Sequence, residues 1–265
     1  MQLITTVVFA ISLLSVPGET RPWVHSSLQE NRLSSDIKTD RPIIGILAQN
    51  TDGYVQTFGR TYIVASYIKY IESAGGRVVP IRNNLTEDQL EDLFKSINGV
   101  LFPGGGADIY DSPYSRTGNI IFNLAKKAND AGDVFPLWGT CLGFQFLSVQ
   151  GADEQLKKFY NCLSTNRGKK GKEFVSTVEA YDYPFYGTQW HPEKNSFEWT
   201  LHEAINHSEE AVAVTQYVAD FFVNQARLSG HRFPSKEEED AALIYHDDPI
   251  YCKPELTHFE QCYIF

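Results

Sequence analysis

Cysteine is scarce and long apolar runs are almost absent, and each shortage removes a class of protein. Four cysteines in 265 residues are too few for a disulfide scaffold. Beyond the first eighteen residues, no stretch stays apolar long enough to cross a bilayer, so no membrane span is expected. There is no Lys/Arg stripe, and a formal net charge of −10 argues against nucleic acid as a partner. The glycine-rich segment Pro103-Gly104-Gly105-Gly106 has neither dinucleotide-fingerprint spacing nor a following Gly-Lys-Ser/Thr, so it does not read as a phosphate loop. No Cys/His cluster has zinc spacing, so no metal and no cofactor are expected. Internal repeats and low-complexity linkers are also missing. What remains, with 42% hydrophobic and 21% charged residues, is an ordinary globular chain able to bury one large core.

Residues 1–18 carry a short apolar run that ends in Pro17-Gly18, as a cleaved secretory signal does. Residues 19–40 are polar and aperiodic and read as a leader or arm; residues 41–265 read as the folded domain. Asn84-Leu85-Thr86 and Asn206-His207-Ser208 are acceptors for N-glycosylation, with Asn84 and Asn206 the modified residues. Cys252 and Cys262 flank a short segment and either pair or remain as buried thiols.

From Pro42 onward, strands and helices alternate with short connections. Ile43–Leu47, Arg77–Ile81, Gly99–Phe102 and Val134–Trp138 read as buried strands. Thr61–Ala74, Leu85–Ile97 and Ile120–Ala131 have helical spacing, and Ala211–Arg227 is a further amphipathic helix. Residues 173–180 and 184–190 look like two strands joined at Tyr181-Asp182-Tyr183. This predicts an α/β three-layer sandwich with a mostly parallel sheet, whose ligands bind beyond the carboxyl ends of the strands.

Two segments carry chemistry. Gly139-Thr140-Cys141-Leu142-Gly143, between an apolar strand and a helix, is a nucleophile elbow with cysteine in place of serine. A cysteine there meets the positive end of the helix dipole, which favours thiolate. His191-Pro192-Glu193 ends an aromatic strand, and positions i and i+2 of an extended segment point the same way. Glu193 is therefore placed to orient His191 as the base for Cys141. The amide of Leu142 and one in the glycine turn, at Gly105, are the expected oxyanion donors. His202, His207, His231, His246 and His258 lack a comparable frame.

These residues resemble the class I glutamine amidotransferase-like family and, within it, the gamma-glutamyl hydrolase family. The likeness rests on residues 65–75, 101–105, 135–144, 186–194 and 260–265 and covers most of the chain after residue 41. It implies a lysosomal or secreted cysteine hydrolase, with Cys141 as nucleophile and His191 as its partner. The implied substrate is a folylpoly-γ-glutamate and the implied assembly a homodimer. Two departures stand out. Gln145 occupies a position where this resemblance leads one to expect Glu; glutamine there is typical of amidotransferases, where it holds the substrate glutamine. The path from Leu147 to Leu156 also lacks a block of strands and loops that the resemblance implies, including pocket wall, so turnover below that of a full-length relative is expected, or binding of glutamyl ligands without efficient turnover. The rival activity is release of ammonia from glutamine, favoured by Gln145 and disfavoured by the secretory signal and by the lack of a synthetase domain.

Overall fold

In β1 (Ile43–Leu47) every residue is buried, and its side chains alternate between two cores. Ile43 and Leu47 face a cluster that includes Leu90, Phe94, Ile121, Phe122 and Phe146. Ile44 and Ile46 face another, built with Tyr67, Ile68, Ile71, Phe222 and Val223. Each fully buried Phe or Ile contributes roughly 1.5–3 kcal/mol of transfer free energy, so burial on both faces fixes this strand in the middle layer. The computed structural model describes residues 36–152 and 156–265; the signal-like stretch 1–18 and the leader as far as residue 35 lie outside them. The last part of that leader is docked rather than loose, because the amides of Lys38 and Thr39 both donate to the Arg227 carbonyl.

Seven strands form the main sheet in the order β4-β1-β5-β6-β9-β8-β7. Their ranges are β4 (Arg77–Ile81), β5 (Gly99–Phe102), β6 (Leu137–Thr140), β7 (Tyr160–Arg167), β8 (Glu173–Ala180) and β9 (Phe185–Thr188). The first five in that order are mutually parallel; β8 and β7 run antiparallel at one edge. Helices α1 (Ala65–Ser73) and α5 (Glu209–Ala226) cover one face, and α2 (Glu87–Phe94), α3 (Pro113–Asp130) and α4 (Leu142–Ala152) the other. The expected three-layer arrangement is present. Among the described residues, no helix is long and apolar enough to cross a membrane.

A second sheet was not foreseen. Thr61–Val64 is strand β3, not the first turn of a helix, and the helix begins only at Ala65. β3 pairs antiparallel with β2 (Gln49–Asn50) and with β11 (Gln261–Ile264), and β11 pairs with β10 (Ile250–Tyr251). The run Thr-Tyr-Ile-Val, β-branched except for its tyrosine, takes the extended form because partners wait on both sides, and tertiary pairing overrides an ambiguous spacing. Cys252 and Cys262 form a disulfide within this sheet. Helix α3 starts seven residues earlier than its apolar spacing suggests. Ser112 caps it by accepting from the Ser115 amide at 3.0 Å, and Pro113 occupies the first turn.

Candidate active site

β6 and β9 are hydrogen-bonded neighbours with Thr140 opposite Thr188, so the chain leaves both strands at the same carboxyl edge. Cys141 is the first residue past β6, and Gln189-Trp190-His191 follows β9 directly. The Cys141 amide donates to the Thr188 carbonyl at 2.8 Å, which ties the two exits together. Cys141 has φ of 53°, a left-handed conformation that is uncommon for a residue with a side chain. The elbow glycines make this turn possible. A Cβ on Gly139 would fall 2.5 Å from the Gly143 carbonyl oxygen, and one on Gly143 would fall 2.0 Å from that of Phe102. Backbone meets backbone there, and no side chain fits.

His191 Nδ1 lies 2.7 Å from Glu193 Oε1, and Glu193 is 1% exposed. With Nδ1 held in this way, Nε2 is left to serve the sulfur, and a hydrogen bond joins the imidazole to Cys141. Burial pushes the His191 pKa down, but Glu193 and the Cys141 sulfur outweigh it and raise the value to about 10. Burial pushes the Cys141 thiol up, and the hydrogen bond and charge of His191 with the Leu142 amide more than reverse this, leaving it below the ordinary thiol value. Both shifts move the pair toward thiolate and imidazolium. Glu193 Oε2 is buried with no hydrogen-bond partner among the described residues, so the imidazolium is the main compensation for a buried carboxylate. The Pro-Glu turn is itself anchored, because Thr215 on α5 donates its hydroxyl to the Pro192 carbonyl at 2.5 Å.

Sequence reasoning missed Tyr67. Its hydroxyl accepts from the Gly104 amide at 2.8 Å and lies 3.3 Å from His191 Nδ1. Only its place on the buried face of α1 was legible; that a buried tyrosine tip must find a polar partner is general, but which partner is not. The glycine turn abuts the dyad at Gly104, where a Cβ would fall 2.6 Å from His191 Cε1 and 3.1 Å from Cys141 Cβ. Gly105 lies one residue further on, against the Gln49 side chain, and Gln49 Nε2 donates to the Gly104 carbonyl. The Gly105 amide has no hydrogen-bond partner among the described residues. Gln145 is exposed and donates from Nε2 to Gln189 Oε1 at 3.2 Å. Asn84 and Asn206 are both exposed, and the hydroxyl residue of each acceptor tripeptide, Thr86 or Ser208, caps a helix.

A second buried carboxylate stands behind the site. Glu198 is 1% exposed and its Oε2 accepts from the Glu260 amide at 2.8 Å. Burial raises its pKa to about 7; the Glu260 amide and the Ser66 hydroxyl pull the other way, and the charge of Glu193 adds to the rise. A carboxyl with a folded-state pKa above its unfolded value gives stability that is complete below pH about 4.5 and is lost as pH rises through about 7. Melting curves of the native chain are therefore expected to fall in Tm between pH 5 and 8. Glu198→Gln, which keeps an acceptor for Glu260 without the charge, should flatten that fall by roughly 2–3 kcal/mol. An unchanged slope in the variant would remove Glu198 as its source.

A strained cysteine at the carboxyl edge of a parallel sheet, served by a His–Glu pair from the adjacent strand, defines a cysteine-dependent hydrolase. Comparisons with known proteins agree and are narrower. A family model described as Peptidase C26 matches residues 42–161. The gamma-glutamyl hydrolase of Homo sapiens is 41% identical over 302 aligned residues, covering 91% of this chain and 94% of that protein. The mouse gamma-glutamyl hydrolase is 40% identical, covering 95% and 94%, and gamma-glutamyl hydrolase B of Dictyostelium discoideum 35%, covering 84% and 83%. The chain belongs to the gamma-glutamyl hydrolase family. The alignment with the human protein is longer than the 265 residues of this chain, so that relative carries residues inside the matched span that are missing here. At the expected join, α4 ends at Ala152 and a short helix, Leu156–Phe159, leads into β7. β7 is the edge strand, and its outer half, Ser164-Thr165-Asn166-Arg167, is polar as an unpaired edge requires.

Proposed function

We propose that this chain hydrolyses γ-glutamyl bonds of folylpoly-γ-glutamates through a thioester on Cys141. The thiolate attacks the γ-carbonyl carbon and the C–N bond breaks. His191, oriented by Glu193, gives its proton to the departing amine, then takes one from the water that releases the acyl group. The amides of Leu142 and Gly105 hold the oxyanion, each such donor being worth on the order of 3–4 kcal/mol in the barrier. Gln145, at the mouth beside Gln189, contacts the glutamyl unit.

The observation that carries this reading is the joint placement of Cys141, His191 and Glu193 at one sheet edge in a chain of this family. The test is mass spectrometry of products from a ladder of pteroyl-γ-glutamates. Shortened pteroyl species and free glutamate or glutamyl peptides are expected. Ammonia from free glutamine, with the ladder untouched, would overturn the assignment. Run beside a version with the missing block restored, the shortened chain is expected to turn over on the order of a hundredfold more slowly. Loss of pocket wall loosens substrate placement, and an error of about 1 Å costs about that much. Equal rates would show that the block is dispensable.

A further inference from the structure

Two strands away from the nucleophile, the same carboxyl edge of the sheet carries a separate cleft of about 880 Å³. Arg60, Arg82 and Arg116 line it, and no acidic side chain does, although the whole chain has a net charge of −10. The arginines come from three places brought together by the fold: the entry to β3, the exit of β4 and the first turns of α3. Arg82 is held over the Phe265 ring, 5.3 Å from its centroid. Arg116 meets Asp111 at 3.1 Å in a pair exposed on both sides, which water screens and an incoming anion can displace. Arg60 has no ion-pair partner among the described residues, and its backbone N–H donates to the backbone oxygen of Phe265 at 3.0 Å. The wall is also braced, with Asn83 Nδ2 donating to Asn50 Oδ1 at 2.8 Å.

The wall of this cleft and the dyad are linked by a short chain of contacts. Asn50 follows Gln49, whose side chain holds the carbonyl of Gly104, and Gly104 abuts Cys141 and His191. Strand spacing of about 4.8 Å puts the ends of β1 and β4 roughly 10 and 15 Å from that of β6. That span is the reach of a short extended chain. Three guanidinium groups facing one cleft suit a ligand with several carboxylates at regular intervals, because each guanidinium can take a carboxylate in a two-pronged bond.

We propose that the Arg60–Arg82–Arg116 cleft is a subsite for the free α-carboxylates of a poly-γ-glutamyl tail whose scissile bond lies at Cys141. The proposal rests on the function proposed above and adds the origin of chain-length preference. γ-Linked glutamates carry one free α-carboxylate per unit, so each further unit that reaches the cleft adds one charge-assisted contact. A tail too short to reach it gains nothing there.

The test separates binding from turnover. Asn84 also lines the cleft, so a glycan attached there would stand beside it, and deglycosylated protein is used throughout. Binding of γ-linked pentaglutamate without a pteroyl group is measured by calorimetry on Cys141→Ala protein, with and without Arg60→Gln and Arg116→Gln. Both arginines are exposed, so the fold should tolerate their loss. About tenfold weaker binding in the double variant is expected, together with a steep loss of affinity on adding salt in the parent. In the active enzyme, the ratio of KM for long tails to KM for a diglutamate should rise in the double variant. If the native enzyme cleaves the ladder while the double variant binds pentaglutamate as tightly as its parent, the subsite is overturned and the function stands. If the native enzyme neither cleaves the ladder nor binds pentaglutamate, both fall.

Discussion

Replacing Cys141 with glycine is expected to abolish turnover while making the protein harder to unfold. The loss follows from chemistry: without the sulfur no thioester forms, and removing a nucleophile of this kind costs on the order of 10⁴-fold or more. The gain follows from geometry. At φ of 53° a side chain strains the turn, and glycine accepts that conformation freely, so about 1 kcal/mol of stability should return. Cys141→Ala separates the two effects, since it removes the sulfur and keeps the Cβ. It should be equally inactive without the stability gain. Chemical denaturation of the three proteins at one pH, with rates on a pteroyl-γ-glutamate, is sufficient. Full activity in either variant would remove Cys141 as nucleophile, and a glycine variant no more stable than the alanine one would remove the strain.

Glu193→Gln should cost nearly as much activity with little change in shape. The amide oxygen can still accept from His191 Nδ1, so the ring stays in place. What disappears is the charge that, with Cys141, holds the imidazole pKa at about 10 against burial. The imidazolium then loses its proton at lower pH, and the thiol loses the cation that keeps it ionised. A drop in kcat/KM on the order of 10³–10⁴-fold is expected, by analogy with neutralising the orienting carboxylate of a serine triad. The rate of alkylation by iodoacetamide gives a readout apart from turnover: in the native protein alkylation of Cys141 should set in below the ordinary thiol range, and in the variant the profile should shift to higher pH. Equal alkylation profiles would show that Glu193 does not set the state of the dyad.

The parts of this molecule that were readable in the sequence are those whose cause is local. Gly139-Thr140-Cys141-Leu142-Gly143 must form a tight strand-to-helix turn whatever surrounds it, and His191-Pro192-Glu193 needs only a strand to deliver it. The apolar runs of β1 and β5 likewise announce burial on both faces, whereas the run Val134–Trp138 misplaces the next strand, which spans Leu137–Thr140. What escaped depends on partners far away in the chain. Thr61–Val64 became a strand because β11, some two hundred residues later, lies beside it. Tyr67 joined the site because α1 packs where the glycine turn passes. The early start of α3 was written locally in Ser112-Pro113, but Gly118 obscured it by interrupting the apolar pattern. The arginine cleft draws on three separated segments, and no window of sequence contains it.

The seam between β6 and β9 has an evolutionary corollary. The distance between nucleophile and base is set by a ladder of backbone hydrogen bonds in which Thr140 faces Thr188, not by the length of the chain that joins them. Insertions and losses between α4 and β7 therefore leave the reactive pair in register. Lineages are free to rewrite the walls around it, and with them the choice of substrate, without having to reinvent the reaction.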